Sequence, residues 1–345
     1  MLCGVLYMSE GSCCCTSDVC CDEPFVKTVS SQLETKDIIG MWKARWGVGR
    51  MDYMVDPGLY TVGNPGNDSP VLVSANYKLT FDVLRKNLAG IDCWLLILDT
   101  KGINVWCAAG KGTFGTDELI SRIESSELSK YVSHKKLILP QLGATGISAH
   151  EVTRRSGYNV AYGPVRAKDI KAYIDAGYKA TKEMRTVEFT MWDRLVLTPM
   201  ELVVALQKTL PVFGIMLLAN RKTDAALLAG SIFSGTVFTP TFLPYIPGKA
   251  FALKGWFTGL GATAKLLILT GKFKRGNRLF SAGSLLLYPA ISSFLAMNFT
   301  GASTYTSPSG VNKEMKKALP LIVGAAAIGG ALTLGALFIG KRKSK

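Results

Sequence analysis

The stretch Trp94-Leu95-Leu96-Ile97-Leu98, followed by Asp99-Thr100-Lys101-Gly102 and then by Asn104-Val105-Trp106-Cys107-Ala108-Ala109-Gly110-Lys111, decides how this chain is read. Five consecutive apolar residues suit a strand buried on both faces. The turn after them and the small-residue run beyond predict a short helix where the strand ends, which is where an open α/β sheet presents its ligands. Asn104 is a good N-cap. It leaves Cys107 in the first helical turn, with Lys111 one turn further along the same face. Both features favour negative charge at the sulfur, as in a metal or cofactor ligand. The same residues also suit a buried, inert cysteine in a helix turn.

Outward from this stretch the text alternates strand and helix. Strands are expected at Leu59–Val62, Val71–Ser74, Leu137–Leu139 and Asn159–Tyr162. Helices are expected from Thr80 (as N-cap) to Leu88, from Thr116 to about Ser126, from Ser148 to Gly157 and from Ala167 to Ala176. Repeated strand–loop–helix units predict a parallel sheet covered on both faces. The strand-end loops are small and Gly-rich: Gly63-Asn64-Pro65-Gly66, Gln141-Leu142-Gly143-Ala144 and Tyr162-Gly163-Pro164. Such loops let a large flat ligand approach the backbone; they are also ordinary turn chemistry.

Of the 345 residues 48% are apolar, and charge is unevenly placed. Residues 1–198 carry 23 Lys/Arg and 22 Asp/Glu, whereas residues 199–345 carry 17 and 3. The basic excess therefore lies in the apolar half. That argues against a nucleic-acid partner and fits the short loops of a domain in a lipid bilayer. Five apolar stretches, at 199–219, 225–246, 250–270, 279–299 and 318–340, approach the ~20 residues needed to span a bilayer. Gly255 and Gly259 stand at GxxxG spacing, suited to close helix packing. Lys208, Lys254 and Lys265 near the ends of these stretches are expected to snorkel. The expected organisation is a Cys-rich tail (1–45), an α/β domain (46–180), a linker (181–198), a membrane domain (199–340) and a basic tail (341–345).

No basic and apolar leader opens the chain, so thiols are expected to stay reduced and the α/β domain to face the cytoplasm from the inner membrane. The positive-inside count over five spans points the other way. Six of the eight cysteines crowd the first 21 residues. Cys13, Cys14, Cys15, Cys20 and Cys21 do not match an Fe–S spacing but could bind a soft metal. His134 and His150, the only histidines, make no zinc motif, and neither a P-loop nor a G-x-S-x-G elbow is present.

Residues 104–111, with Gly63-Asn64-Pro65, Ala75–Asp82, Leu98–Gly102, Leu139–Ala144 and Tyr162–Val165, resemble the mercury-methylating corrinoid proteins of anaerobic bacteria and archaea. More distantly, the soluble region resembles the corrinoid-binding domain of the corrinoid iron–sulfur protein of the acetyl-CoA pathway. The resemblance implies a Rossmann-like, α/β corrinoid-binding domain followed by an all-α transmembrane domain of about five helices. It implies a cobalamin-type corrinoid bound base-off, with Cys107 as axial thiolate ligand to cobalt. The cradle it implies comprises Asn104, Val105, Trp106, Ala108, Ala109, Gly110, Lys111, Thr61, Gly63, Asn64, Gly143, Ala144, Tyr162, Gly163 and Pro164. The activity it implies is a corrinoid-dependent methyltransferase turning Hg(II) into methylmercury, with the five tail cysteines as Hg(II) thiols. Its implied partners are a ferredoxin-like reductant with two [4Fe–4S] clusters and a methyl-donor protein or methylfolate. Two alternatives stand beside it: a membrane-anchored corrinoid methyl carrier in one-carbon, acetyl-CoA-type metabolism, and a corrinoid transporter or sensor.

Overall fold

The computed structural model describes residues 26–274, 277–303, 305 and 307–343. The five tail cysteines lie outside them. The chain forms two compact units. The first comprises residues up to Ser31 with 56–76 and 88–162; the second comprises 32–55, 77–87 and 163–345.

The first unit holds a six-stranded sheet of β1 (Lys27–Val29), β2 (Gly58–Val62), β3 (Val71–Ala75), β4 (Cys93–Leu98), β5 (Lys136–Leu139) and β6 (Asn159–Tyr162), in the order β1-β2-β4-β3-β5-β6. All pairs are parallel except β2 with β4, which are antiparallel with Val62 opposite Cys93. The sheet is therefore mixed, not wholly parallel as expected. The reason lies in the connector 63–70, which is too short for a parallel crossover of a dozen or more residues. Every residue of β3 and β4 is buried, as expected for strands covered on both faces. Leu96, Leu98, Val73, Leu137 and Leu139 share one core with Val105, Ala108, Phe114, Leu119 and Ile123. Cys93 lies in this sheet with its thiol pushed up to about 12 by burial, an inert sulfur.

The helices of this unit follow their sequence signals. They are α3 (Val105–Lys111), α4 (Thr116–Ser125) and α5 (Ala149–Ser156), numbered after α1 (Thr35–Arg45) and α2 (Lys78–Lys86) of the second unit. Ser148 caps α5, and left-handed Gly157 ends it. Helix α2 starts at Lys78 behind Tyr77, so Thr80 lies inside the helix rather than at its cap.

In the second unit, β1's successor α1 falls in the stretch read as a tail. Asp37 of α1 and Asp82 of α2 are buried, with Arg85 and Lys78 between them. Arg85 donates to Asp82 Oδ1 at 2.8 Å and to Asp37 Oδ2 at 2.6 Å. Lys78 donates to both carboxylates, at 2.8 and 2.7 Å. Burial pushes the Asp37 carboxyl up, but hydrogen bonds from Lys78, the Glu34 backbone and Arg85 outweigh it and hold it at about 2. Tyr53 donates to Asp82 Oδ2 at 3.3 Å.

After α6 (Ile170–Asp175) the unit is helical: α7 (Met191–Leu218), α8 (Lys222–Phe233), the short α9 (Thr239–Thr241) beyond a π-helical turn, α10 (Phe251–Leu269), α11 (Arg278–Asn298) and α12 (Pro308–Lys343). Among the described residues three segments are long and apolar enough to cross a membrane: Met191–Leu218, Arg278–Gly301 and Ser309–Ile339. Five were expected. The second stretch is broken by the π turn and Pro240 into short pieces, and Lys254 and Lys265 dilute α10. Gly255 and Gly259 do serve close packing: a Cβ at Gly255 would sit 2.7 Å from Ser292 O, and one at Gly259 would sit 2.5 Å from Ser292 Cβ. Lys208 and Lys265 are exposed. Lys254 does not snorkel: it is buried and donates to the carbonyls of Leu243 (2.8 Å) and Ile246, satisfying backbone left open by the broken helix.

Candidate functional site

Strand β3 leads to β4 on one side and β5 leads to β6 on the other, so the order β4-β3-β5-β6 reverses between β3 and β5. A crevice at the carboxyl ends of such strands is the expected ligand position. Helix α3 stands at this edge and packs against the Gln141–Gly143 turn that follows β5.

The turn from β4 into α3 is fixed by Asn76, the residue after β3. Its Oδ1 accepts from Thr100 N (3.1 Å), Thr100 Oγ1 (2.8 Å) and Gly102 N (3.0 Å). Its Nδ2 donates to Asp99 Oδ1 at 3.3 Å. Asn76 is 2% and Thr100 0% exposed, so these are interior bonds with no competing water. The turn needs such bracing because Lys101 (φ 57°) and Gly102 (φ 67°) are both left-handed. Glu118 adds a contact, its Oε1 accepting from Asp99 N at 2.8 Å. Sequence reading passed over Asn76 as a site-building residue; an asparagine directly after a buried strand was the available signal.

Asn104 caps α3 as expected, its Oδ1 accepting from Cys107 N at 3.0 Å. Gly112 ends the helix at φ 82°. The octapeptide then divides by face. Val105, Ala108 and Ala109 are buried in the core, whereas Trp106, Cys107, Gly110 and Lys111 are exposed. The Cys107 sulfur is free and accessible, so it is not the inert buried thiol that the sequence left open. Gly110 has nothing within 4 Å of where a Cβ would stand.

The 140–146 loop supports α3 from below. A Cβ on Gly143 would lie 2.5 Å from the Phe114 ring, and one on Gly146 would lie 2.2 Å from Phe114 O and 2.9 Å from Ala109 Cα. The amides of Gly143, Ala144 and Gly146 donate within the loop, to Pro140, Gln141 and Gly143 carbonyls. Gly143 therefore serves packing, and Ala144 lies beside it, part-exposed. Tyr162 ends β6 with its hydroxyl donating to Ile147 O at 2.6 Å. Gly163 and Pro164 follow in the second unit.

Three expected residues are not brought to this edge. Because β2 runs antiparallel to β4, Thr61, Gly63 and Asn64 lie at the opposite end of the sheet from Cys107. Thr61 donates to Thr28 Oγ1 at 3.0 Å, and Asn64 N donates to Asp92 Oδ1 at 2.8 Å. A Cβ on Gly63 would meet Asp92 Oδ1 at 2.0 Å. Among the described residues no three His, Cys, Asp or Glu side chains cluster to hold a metal.

Residues 46–174, which include this edge, match the family model of the CO dehydrogenase/acetyl-CoA synthase delta subunit. The chain is 33% identical over 137 residues to acetyl-CoA decarbonylase/synthase complex subunit gamma 2 of Methanosarcina mazei, covering 39% of this chain and 29% of that one. It is 32% identical over 123 residues to the complex's subunit gamma from Methanopyrus kandleri (35% and 26%). To the Archaeoglobus fulgidus subunit gamma it is 31% identical over 131 residues (37% and 27%). The chain thus spans under a third of the length of these relatives.

These findings correct the resemblance to mercury-methylating proteins. All of them fall on acetyl-CoA decarbonylase/synthase subunits and none points to methylation of Hg(II). The physical reason is local: residues 104–111 specify a capped helix turn with an accessible sulfur, and nothing in that turn selects Hg(II) as acceptor.

Proposed function

We propose that the α/β region binds a corrinoid at the carboxyl edge of β3, β4 and β5 and works as a methyl carrier in one-carbon chemistry of the acetyl-CoA decarbonylase/synthase kind, anchored to a membrane by its C-terminal helices. The observation that carries this reading is the exposed Cys107 on a braced turn at the strand-order reversal, within the stretch similar to those subunits. The donor chemistry suits the group, since a thiolate is a soft ligand matched to a transition metal. When bound, the corrinoid supplies a cobalt centre able to carry a methyl group.

The chain's own residues have definable tasks. Cys107 presents its sulfur from a helix held at both ends, by Asn104 and by Phe114 N donating to Ala108 O at 3.1 Å. Asn76 keeps the turn, and hence the sulfur, at a fixed height above the sheet. Gly110, one turn from Cys107, leaves room beside the sulfur for a flat ring. Lys111 adds positive charge on the same face, complementary to a thiolate or to anionic side groups of the ligand. Trp106 offers an apolar surface, 41% exposed. The relatives are subunits of a complex, and this carrier is accordingly read as passing its methyl group between protein partners, with a methyl-donor protein or methylfolate upstream and a ferredoxin-like protein as reductant.

The test is to purify the full chain anaerobically in detergent, load it with hydroxocobalamin and remove free corrinoid. Stoichiometric retention, with an absorption spectrum altered in Cys107→Ala, is the expected result. Failure of the wild type to retain corrinoid would refute the proposal.

A further inference from the structure

A groove of about 860 Å³ opens between the start of α10 and residues 310–325 of α12, well away in sequence from the α/β region. It is lined by Lys249, Lys313 and Lys317 and by the apolar Leu253, Trp256 and Ile322. Glu314, the seventh residue of α12, ties that helix to the start of α10: its Oε1 accepts from Ala252 N at 2.8 Å. Glu314 is thereby committed to the α10 N-terminus, whose partial positive charge it complements. The three lysines are exposed and, among the described residues, none is in an ion pair. Below Lys317, α12 is apolar to Ile339. Three cations therefore line an apolar slot that also holds a tryptophan, the residue types that gather where a bilayer meets water.

We propose that this groove binds one anionic phospholipid, its phosphate against Lys249, Lys313 and Lys317 and an acyl chain along Leu253, Trp256 and Ile322. The proposal rests on the reading of the C-terminal helices as membrane segments. The charge selects the class: three lysines favour an anionic headgroup over a zwitterionic one, each cation contributing about a fivefold preference near a membrane surface. The volume accommodates a headgroup and part of a chain, as ligand pockets of ~300–1,000 Å³ do.

The full-length protein would be exchanged into bilayer discs of equal phosphatidylglycerol and phosphatidylcholine, and retained lipid counted by native mass spectrometry. Phosphatidylglycerol should be retained preferentially. K313Q/K317Q should lose about fivefold of that preference for each lysine removed, while K222Q/K274Q, which alters exposed lysines elsewhere, should lose none. Equal retention of both lipids, retention of neither, or equal loss in the two double variants would overturn the inference. An alkaline wash of the membranes separates this failure from a deeper one: protein released by the wash would remove the membrane reading itself.

Discussion

Gly146→Ala tests how α3 is held. The new Cβ would stand 2.2 Å from Phe114 O and 2.9 Å from Ala109 Cα, both backbone atoms. An ordinary contact needs at least 3.4 Å, so the loop and α3 must part by about 1 Å. Phe114 cannot yield freely, because its side chain is fully buried and its N–H is bonded to Ala108 O. Overpacking of this kind costs about 1–3 kcal/mol, or a fall in Tm of several degrees at about 2–4 °C per kcal/mol. Gly110→Ala is the counterpart. Its Cβ meets nothing, so removing a helical glycine should add about 0.5–1 kcal/mol, while crowding the face beside Cys107 and weakening corrinoid retention. Thermal unfolding followed by fluorescence, paired with the retention assay, reads both. If G146A were as stable as the wild type, the packing argument would fail; if G110A bound corrinoid unchanged, the ring would not lie against that face.

Other outcomes follow from the same geometry. Arg85→Met should destabilise by about 3 kcal/mol, because it removes one of two cations from carboxylates buried at Asp37 and Asp82; chemical denaturation that shows under 1 kcal/mol would contradict the network. Asp37 is held at about 2, below its unfolded value of 3.8, so its contribution is present above pH 4 and is lost as pH falls from 4 towards 2. That amounts to roughly 2 kcal/mol, and Asp37→Asn should flatten this part of the stability–pH curve. Asn104→Ala should cost about 1 kcal/mol by uncapping α3, read as faster amide exchange at Cys107.

The elements that carry local signals were legible. Strands β3 to β6, the Asn104 and Ser148 caps and the Gly157 stop appear where composition puts them. What was not legible depends on distant partners. The direction of β2 is set by its pairing with β4, and an apolar run of a few residues reads alike in either direction; that one reversal moves Thr61, Gly63 and Asn64 to the far edge. The buried ion network of Asp82 and Arg85 has no local signal, because their partner Asp37 is 45 residues or more away. The sequence reading counted five span-length apolar stretches where three helices are long and apolar enough, because hydropathy registers an apolar stretch whether or not a π turn and prolines divide it. Cys107 was the intermediate case: the Asn104 cap and the helix turn follow from eight consecutive residues, whereas the exposure of the sulfur is settled by which face of α3 packs on the core.

The most direct measurement is cobalt K-edge X-ray absorption of the anaerobic, corrinoid-loaded full chain beside Cys107→Ala. The account predicts a sulfur scatterer in the cobalt coordination sphere of the wild type that disappears in the variant. Nitrogen and oxygen scatterers alone in both proteins would contradict the assignment of Cys107 as the residue that holds the cofactor at this sheet edge.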